Sequence, residues 1–268
     1  MCIMASPVRS VSDTRIFVGA DAASTRQATV YEMSVALQSR TGKGNAMILP
    51  VPIGTGTIDQ IELIDLTGAP EFFEPLEEVF RERSRGISKG LSRGFDDDLE
   101  VVKVGNYDVS VVPTVNDVKR LNAAVFDVSP DTEATLRAHY PLGFAFLVAQ
   151  LRESGKFHPL AYTAPLVGDR LFIPTRHEHG RGAAGGPAAW DHQIFYQGSA
   201  RPDSLPSHER NTASAHSVQA GEWTDASVRT ASRGVPAALT PFLRPGLALT
   251  RVKAQGPLAN IDLTVPVT

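Results

Sequence analysis

The stretch Leu99-Glu100-Val101-Val102-Lys103-Val104-Gly105-Asn106-Tyr107-Asp108-Val109-Ser110-Val111-Val112 decides the reading of the fold. Two valine-rich runs flank Gly105-Asn106, a pair that tolerates positive φ, so the segment predicts two antiparallel strands joined by a two-residue turn. Upstream, Arg15 to Val18 predicts a strand, and Ala28 to Leu37 another, with Ala28, Val30, Glu32 and Ser34 on one face. The two read as a hairpin. Ala46 to Pro52 is too short for a helix, and its prolines cannot donate to an interior ladder, which predicts a buried strand that ends or runs along an edge at Pro50.

Helical spacing follows. Phe72, Phe73, Leu76, Val79 and Phe80 share one face, with Pro75 limiting the start, and Glu77 and Glu78 are assigned to solvent. Arg83 to Asp98 lacks any period and reads as a loop, its aspartates Asp96 to Asp98 being solvated charge and not a metal site. Thr114 with Asp117 predicts a capped helix to about Phe126, and Ser129-Pro130 predicts a second. Strands are expected at Gly143 to Leu151, Pro159 to Thr163, Leu171 to Pro174 and Asp191 to Gln197. Leu247 to Lys253 and Ala259 to Val265 read as a closing hairpin around Gly256-Pro257. Ser, Ala, Pro and Arg dominate the stretch between. These elements predict one α+β domain over 1–268, a predominantly antiparallel sheet with a few covering helices, and a flexible or surface segment over 199–240.

Composition supports a packed core: the chain is 42% hydrophobic and 21% charged over 268 residues. Lys and Arg number 26 against 29 Asp and Glu, a net charge of -3, so no electrostatic attraction to nucleic acid or anionic membrane is expected. No window approaches the roughly 18 apolar residues of a membrane span, and Met1 to Val11 has no signal-peptide run, which predicts a cytoplasmic setting. Cys2 is the single cysteine, excluding an intramolecular disulfide framework.

Several of these segments together resemble an uncharacterised bacterial family, a domain of unknown function. The matching residues are Cys2, Pro7-Val8, Arg15-Ile16-Phe17, Leu49-Pro50-Val51-Pro52 and Val104-Gly105-Asn106-Tyr107-Asp108-Val109, with Pro159-Leu160 and Ile173-Pro174 later. The resemblance spans about two thirds of the chain and rests on turns and strand ends. It implies the fold and no reaction.

Three chemistries are weighed. In Thr175-Arg176-His177-Glu178-His179-Gly180, a strand continued from Leu171 would put His177 and His179 on one face, as two imidazoles facing one metal must be. His192 would return as a third ligand from the neighbouring strand, with Asp191 orienting an imidazole and His158 near. Three neutral histidines would hold zinc, iron, manganese or copper and leave a position for water or substrate; the bland alternative is a polar loop. Second, removal of Met1 would free the amine of Cys2 to act as base for its own thiol, an N-terminal-nucleophile amide hydrolase, with Asp13, Arg15 and Asn45 available around it. A buried inert cysteine is the structural alternative. Third, the chain is a non-catalytic interaction module that meets a partner through Gly198 to Thr240. Metal analysis, thiol reactivity and deletion of that segment separate the three. Gly54-x-Gly56 and Gly42-Lys43-Gly44 lack the spacing of nucleotide-binding loops, no Gly-x-Ser-x-Gly elbow is present, and Trp190, Phe195 and Tyr196 read as core or sheet surface.

Overall fold

The computed structural model describes residues 3–38, 45–80, 101–105, 107–176, 178, 188–198, 200–203, 205 and 215–267. Period-two burial builds two sheets from these segments. The first, of five strands, runs β1 (Ile3–Met4), β4 (Asn45–Pro52), β8 (Phe144–Leu151), β7 (Tyr107–Val112), β6 (Val102–Val104). Its hairpin β6–β7 pairs Val104 with Tyr107 around Gly105 at φ 60°, as the sequence predicts. Pro50 lies on an edge because β1 pairs only with Met47 and Ile48 and stops short of it.

The larger sheet runs β13 (Ala215–Gly221), β14 (Leu249–Leu258), β12 (Ala188–Gln197), β2 (Val8–Ala20), β3 (Arg26–Leu37), β10 (Leu160–Pro165), β5 (Glu62–Ile64), with β9 (Gly155–Lys156) on the end of β3. All its pairings are antiparallel except β12 with β2. A separate pair joins β11 (Arg170–Ile173) to β15 (Leu263–Pro266). Alternate residues of both sheets meet in one apolar core, Met47, Leu49, Leu147 and Val109 from one and Ile16, Tyr31, Tyr162 and Ile194 from the other. The opposite faces carry helices: α1 (Glu74–Glu78) and α3 (Asp225–Ala231) on the larger sheet, α2 (Pro130–His139) on the smaller. No helix among the described residues is long and apolar enough to cross a membrane.

Two expectations are corrected. The chain is a mainly β sandwich and not an α+β domain: among the described residues the three α-helices are five, ten and seven residues long against fifteen strands. Pro75 confines the first, and the segment after Thr114 is a 3-10 turn over Val115–Arg120. Nor do the last strands form a hairpin. Gly256 adopts φ 85° inside β14, opposite Trp190, so the strand runs on to Leu258 along β12, and β15 pairs with β11. Within 199–240, β13 lies at the sheet edge, and Trp223 and Leu239 are buried under the larger sheet. Residues 199, 204 and 206–214 lie outside the described ones, as do 81–100, which include Asp96 to Asp98.

Candidate functional site

The site begins with one irregular step in β2. Ser12 pairs with Ser34 but Arg15 pairs with Glu32, so Asp13 and Thr14 together oppose the single residue Met33. That is a β-bulge, and Asp13 takes φ 51° within it. Because side chains alternate, the extra residue exchanges the faces of everything after it. Val11 points into the inter-sheet core, as do Ile16 and Val18, which leaves Arg15 and Phe17 on the outer face. The Asp191 carboxylate accepts the backbone N–H of Asp13 at 3.0 Å and holds the step in place.

On that outer face Arg15 is 8% exposed and binds three carboxylates. Its Nη2 donates to Glu32 Oε1 at 2.6 Å, and its Nη1 donates to Glu74 and to Glu77, each at 3.0 Å. The guanidinium also lies over the ring of Phe73, 5.1 Å from its centroid. Glu74 and Glu77 come from α1, one turn apart, so a five-residue helix supplies both. Burial lowers the Arg15 pKa, and the Glu32 charge with the three carboxylate hydrogen bonds more than reverses this, holding it above its ordinary value. Lys156, on β9, reaches Glu32 Oε1 from the other side at 2.9 Å. Glu32 itself is 1% exposed, and its Oε2 finds no hydrogen-bond partner among the described residues.

These groups line a cavity of about 370 Å³ formed by Asp13, Thr14, Arg15, Glu32, Glu74, Glu77, Lys156, Asp191 and Gln193. Five of the lining residues are carboxylates and two are cations, so acidic side chains outnumber basic ones among the described residues of the wall. Such a wall attracts a positively charged group and repels an anion.

Of the residues singled out from the sequence, Asp13, Arg15 and Asp191 line this cavity. His177 and His179 lie outside the described residues, and so does Cys2, whose neighbour Ile3 opens β1. β11 ends at Ile173 and its partner is β15, not β12, so His192 does not come from a strand neighbouring it. His192 is 1% exposed on the inward face of β12, its ring 4.6 Å from that of Trp190 and its Nδ1 accepting the Asp191 N–H at 3.1 Å. The Asp191 carboxylate holds the bulge, and its backbone N–H meets the His192 ring. His158 packs edge-on to Tyr107, and burial lowers its pKa, opposed by the Pro159 carbonyl. Asn45 binds the backbone of Ser6 through both ends of its amide, and Arg15 is committed to its carboxylates. Trp190 and Tyr196 belong to the inter-sheet core, and Phe195 to the outer layer. Among the described residues no group of three His, Cys, Asp or Glu is arranged to hold a metal ion.

Glu77 is corrected: it is 8% exposed and faces Arg15, whereas Glu78 is exposed. The signal was present, because Glu77 stands four residues after Phe73 and therefore on the same helical face. Glu32 likewise shares its face with Ala28 and Val30, both buried. A carboxylate on an apolar face asks for a cation, and Arg15 is that cation.

A second polar cluster joins the smaller sheet's cover to the chain end. Tyr140 donates to Asp262 Oδ2 at 2.6 Å, and the Arg176 N–H donates to Oδ1 at 2.8 Å. Burial pushes the Asp262 carboxyl above its ordinary range, and burial with the Arg176 charge pushes His139 below its own.

No family model matches the chain. The chain is similar to the crystal structure of baculovirus P35, with 14% identity, a TM-score of 0.49 and complete coverage of both chains. A mutated baculovirus P35 after caspase cleavage matches at 13% identity and a TM-score of 0.46, covering 96% of this chain and 100% of that one. P35 in the caspase-8/P35 complex matches at 11% and 0.40, covering 96% and 91%. At these TM-scores the likenesses carry no argument about fold or function.

Proposed function

We propose that this chain is a non-catalytic interaction module whose acidic cavity on the outer face of the larger sheet receives a cationic group of a protein partner. The observation that supports this is the charge of the cavity wall, five carboxylates against two cations. Part of the wall is also fixed by burial. Arg15 and Glu32 are buried on adjacent strands, and Glu77 is anchored through the helix that carries Leu76 and Phe73 into the apolar layer. A pre-formed charged site loses little conformational entropy when it binds, and it speeds encounter with a basic partner.

Fluorescence anisotropy with a labelled arginine-rich octapeptide tests the reading. Binding should weaken with salt and fall at least about fivefold in Glu74→Gln and in Asp13→Asn, a loss of about 1 kcal/mol. Glu62→Gln and Glu153→Gln neutralise exposed carboxylates outside the cavity and serve as controls. Equal losses in all four variants would show diffuse attraction to an acidic surface and would end the proposal.

A further inference from the structure

We propose that the outer edge of β13 takes up an extended segment of a partner protein as an added antiparallel strand, and that Lys253 selects a segment in which aliphatic and acidic residues alternate. The site is separate from the acidic cavity and does not depend on the cationic-docking reading.

β13 ends the larger sheet: it pairs with β14 on one side, and no described strand lies on the other. The register says which of its backbone groups face outward. The Gly198 N–H donates to the Ala248 carbonyl at 2.8 Å, one step beyond the last pair of β12 with β14, Gln197 with Leu249. Hydrogen-bonded pairs recur at every second residue of an antiparallel ladder, so the even-numbered residues of β14 bond to β12. Its odd-numbered residues, Leu249, Arg251 and Lys253, then bond to Gly221, Gln219 and Ser217 of β13. The N–H and C=O groups of Val218 and Ala220 therefore point away from the sheet, where they meet no backbone partner among the described residues. Sheets guard such an edge with lysine, proline or a bulge. β13 pairs in unbroken register and carries neither residue, and its Ser217, Gln219 and Ala220 are exposed. A strand laid along it gains main-chain hydrogen bonds of the kind that already hold the sheet.

The side chains decide which strand fits. Val218 lies opposite Val252 and packs against the inter-sheet core, so an apolar residue beside it continues that face. Ser217 and Gln219 lie opposite Lys253 and Arg251 on the outer face. Arg251 is engaged there by Gln219 and by the ring of Phe80. Lys253 is exposed and has no ion pair with a described residue. A residue opposite Ser217 on the added strand would stand two strand spacings, about 10 Å, from Lys253, within the combined reach of a lysine and a glutamate. A second copy of this chain is the poorer occupant, because a two-fold pairing of β13 with itself brings two sets of Arg251 and Lys253 to one face.

Hydrogen exchange and fluorescence anisotropy with a labelled heptapeptide of alternating valine and glutamate test this. In the chain alone the amides of Val218 and Ala220 should exchange rapidly and those of Ser217 and Gln219 slowly, and the peptide should slow the first pair at least about tenfold. The valines of the peptide are the residues that would bond to Val218 and Ala220, so N-methylation at the valines should abolish binding. The native chain should prefer the glutamate peptide to its lysine counterpart by about fivefold, and Lys253→Glu should reverse that order. Ala220→Pro removes an N–H that β14 does not use, so it should keep the fold and lose the peptide. Undiminished binding of the N-methylated peptide, an unchanged preference in Lys253→Glu, or no protection of Val218 and Ala220 would each overturn the proposal. A dimer of the native chain that Ala220→Pro dissolves would assign the edge to a second copy and overturn it as well.

Discussion

Arg15 carries a positive charge into a site that is 8% exposed, so its removal leaves Glu32 buried with Lys156 alone to neutralise it. Breaking a buried ion pair from one side costs about 3–5 kcal/mol because the surviving charge is stranded. Arg15→Met should therefore lower unfolding stability by that amount in a urea titration; a loss below about 1 kcal/mol would show the cluster to be screened like a surface pair. Two glycines make a paired comparison of the same kind. Gly105 has φ 60°, and a Cβ there would stand 2.2 Å from His158 Nε2; Gly168 has φ 76° and open space around it. Alanine at Gly168 meets only the strain of the left-handed region, about 1–2 kcal/mol. Alanine at Gly105 adds displacement of His158, whose carbonyl accepts the Tyr107 hydroxyl at 2.7 Å, and should cost about 3 kcal/mol or above. Equal melting temperatures for the two variants would show that His158 swings aside freely.

Hairpins were the elements most legible in the sequence, because their signals are local. The turn between β2 and β3 is closed by Asp21, whose carboxylate accepts the N–H groups of Thr25 at 2.7 Å and Arg26 at 3.0 Å and the Thr25 hydroxyl at 2.9 Å. Burial raises its pKa, and these bonds together outweigh that and hold it below its ordinary value. A depressed folded pKa means that the stabilisation is complete above the unfolded value near pH 4 and is lost as pH falls through the folded one. Asp21→Ala should therefore cost about 1–2 kcal/mol at pH 7, with the difference from the native chain shrinking progressively below pH 4. A difference independent of pH would assign the turn to backbone geometry instead. The bulge at Asp13 was not legible in the same way. Its cause is a carboxylate 178 residues away in sequence, Asp191, and nothing within β2 announces that two residues will oppose one. Without the bulge Arg15 would be read on the inward face beside Val11, so the sequence could list the charges of the cavity but not assemble them. The short helix failed for a related reason: the apolar face from Phe72 to Leu76 was readable, while the burial of Glu77 depended on a cation 62 residues earlier. Gly256-Pro257 misled in the other direction, a turn signature absorbed inside a long strand by its pairing with β12.

At the scale of the molecule, the larger sheet is shared between two apolar layers. Ile16, Tyr31, Tyr162, Ile194 and Val252 face the smaller sheet, and Phe17, Val30, Ala161, Phe195 and Leu249, on the same five strands, face the helical cover. Neither layer can lose its strands without disturbing the other, so the two should unfold in one cooperative step. The chain's two tryptophans allow each layer to be followed separately, because Trp190 belongs to the inter-sheet core and Trp223 to the outer layer. Trp190→Phe leaves a reporter of the cover, and Trp223→Phe leaves a reporter of the sandwich. In guanidinium chloride the fluorescence transition of each variant should coincide with its own far-ultraviolet circular dichroism transition. If the Trp223 signal instead changes at a lower concentration than the strand signal, the cover is a separately opening unit. That outcome would reach the cavity directly: Glu74 and Glu77 ride on α1, whose Leu76 is anchored in the same layer as Trp223. Opening the cover would remove two of the five carboxylates from the wall while Arg15 and Glu32 stayed with the sheet, so affinity for a cation would fall before the sandwich itself was lost.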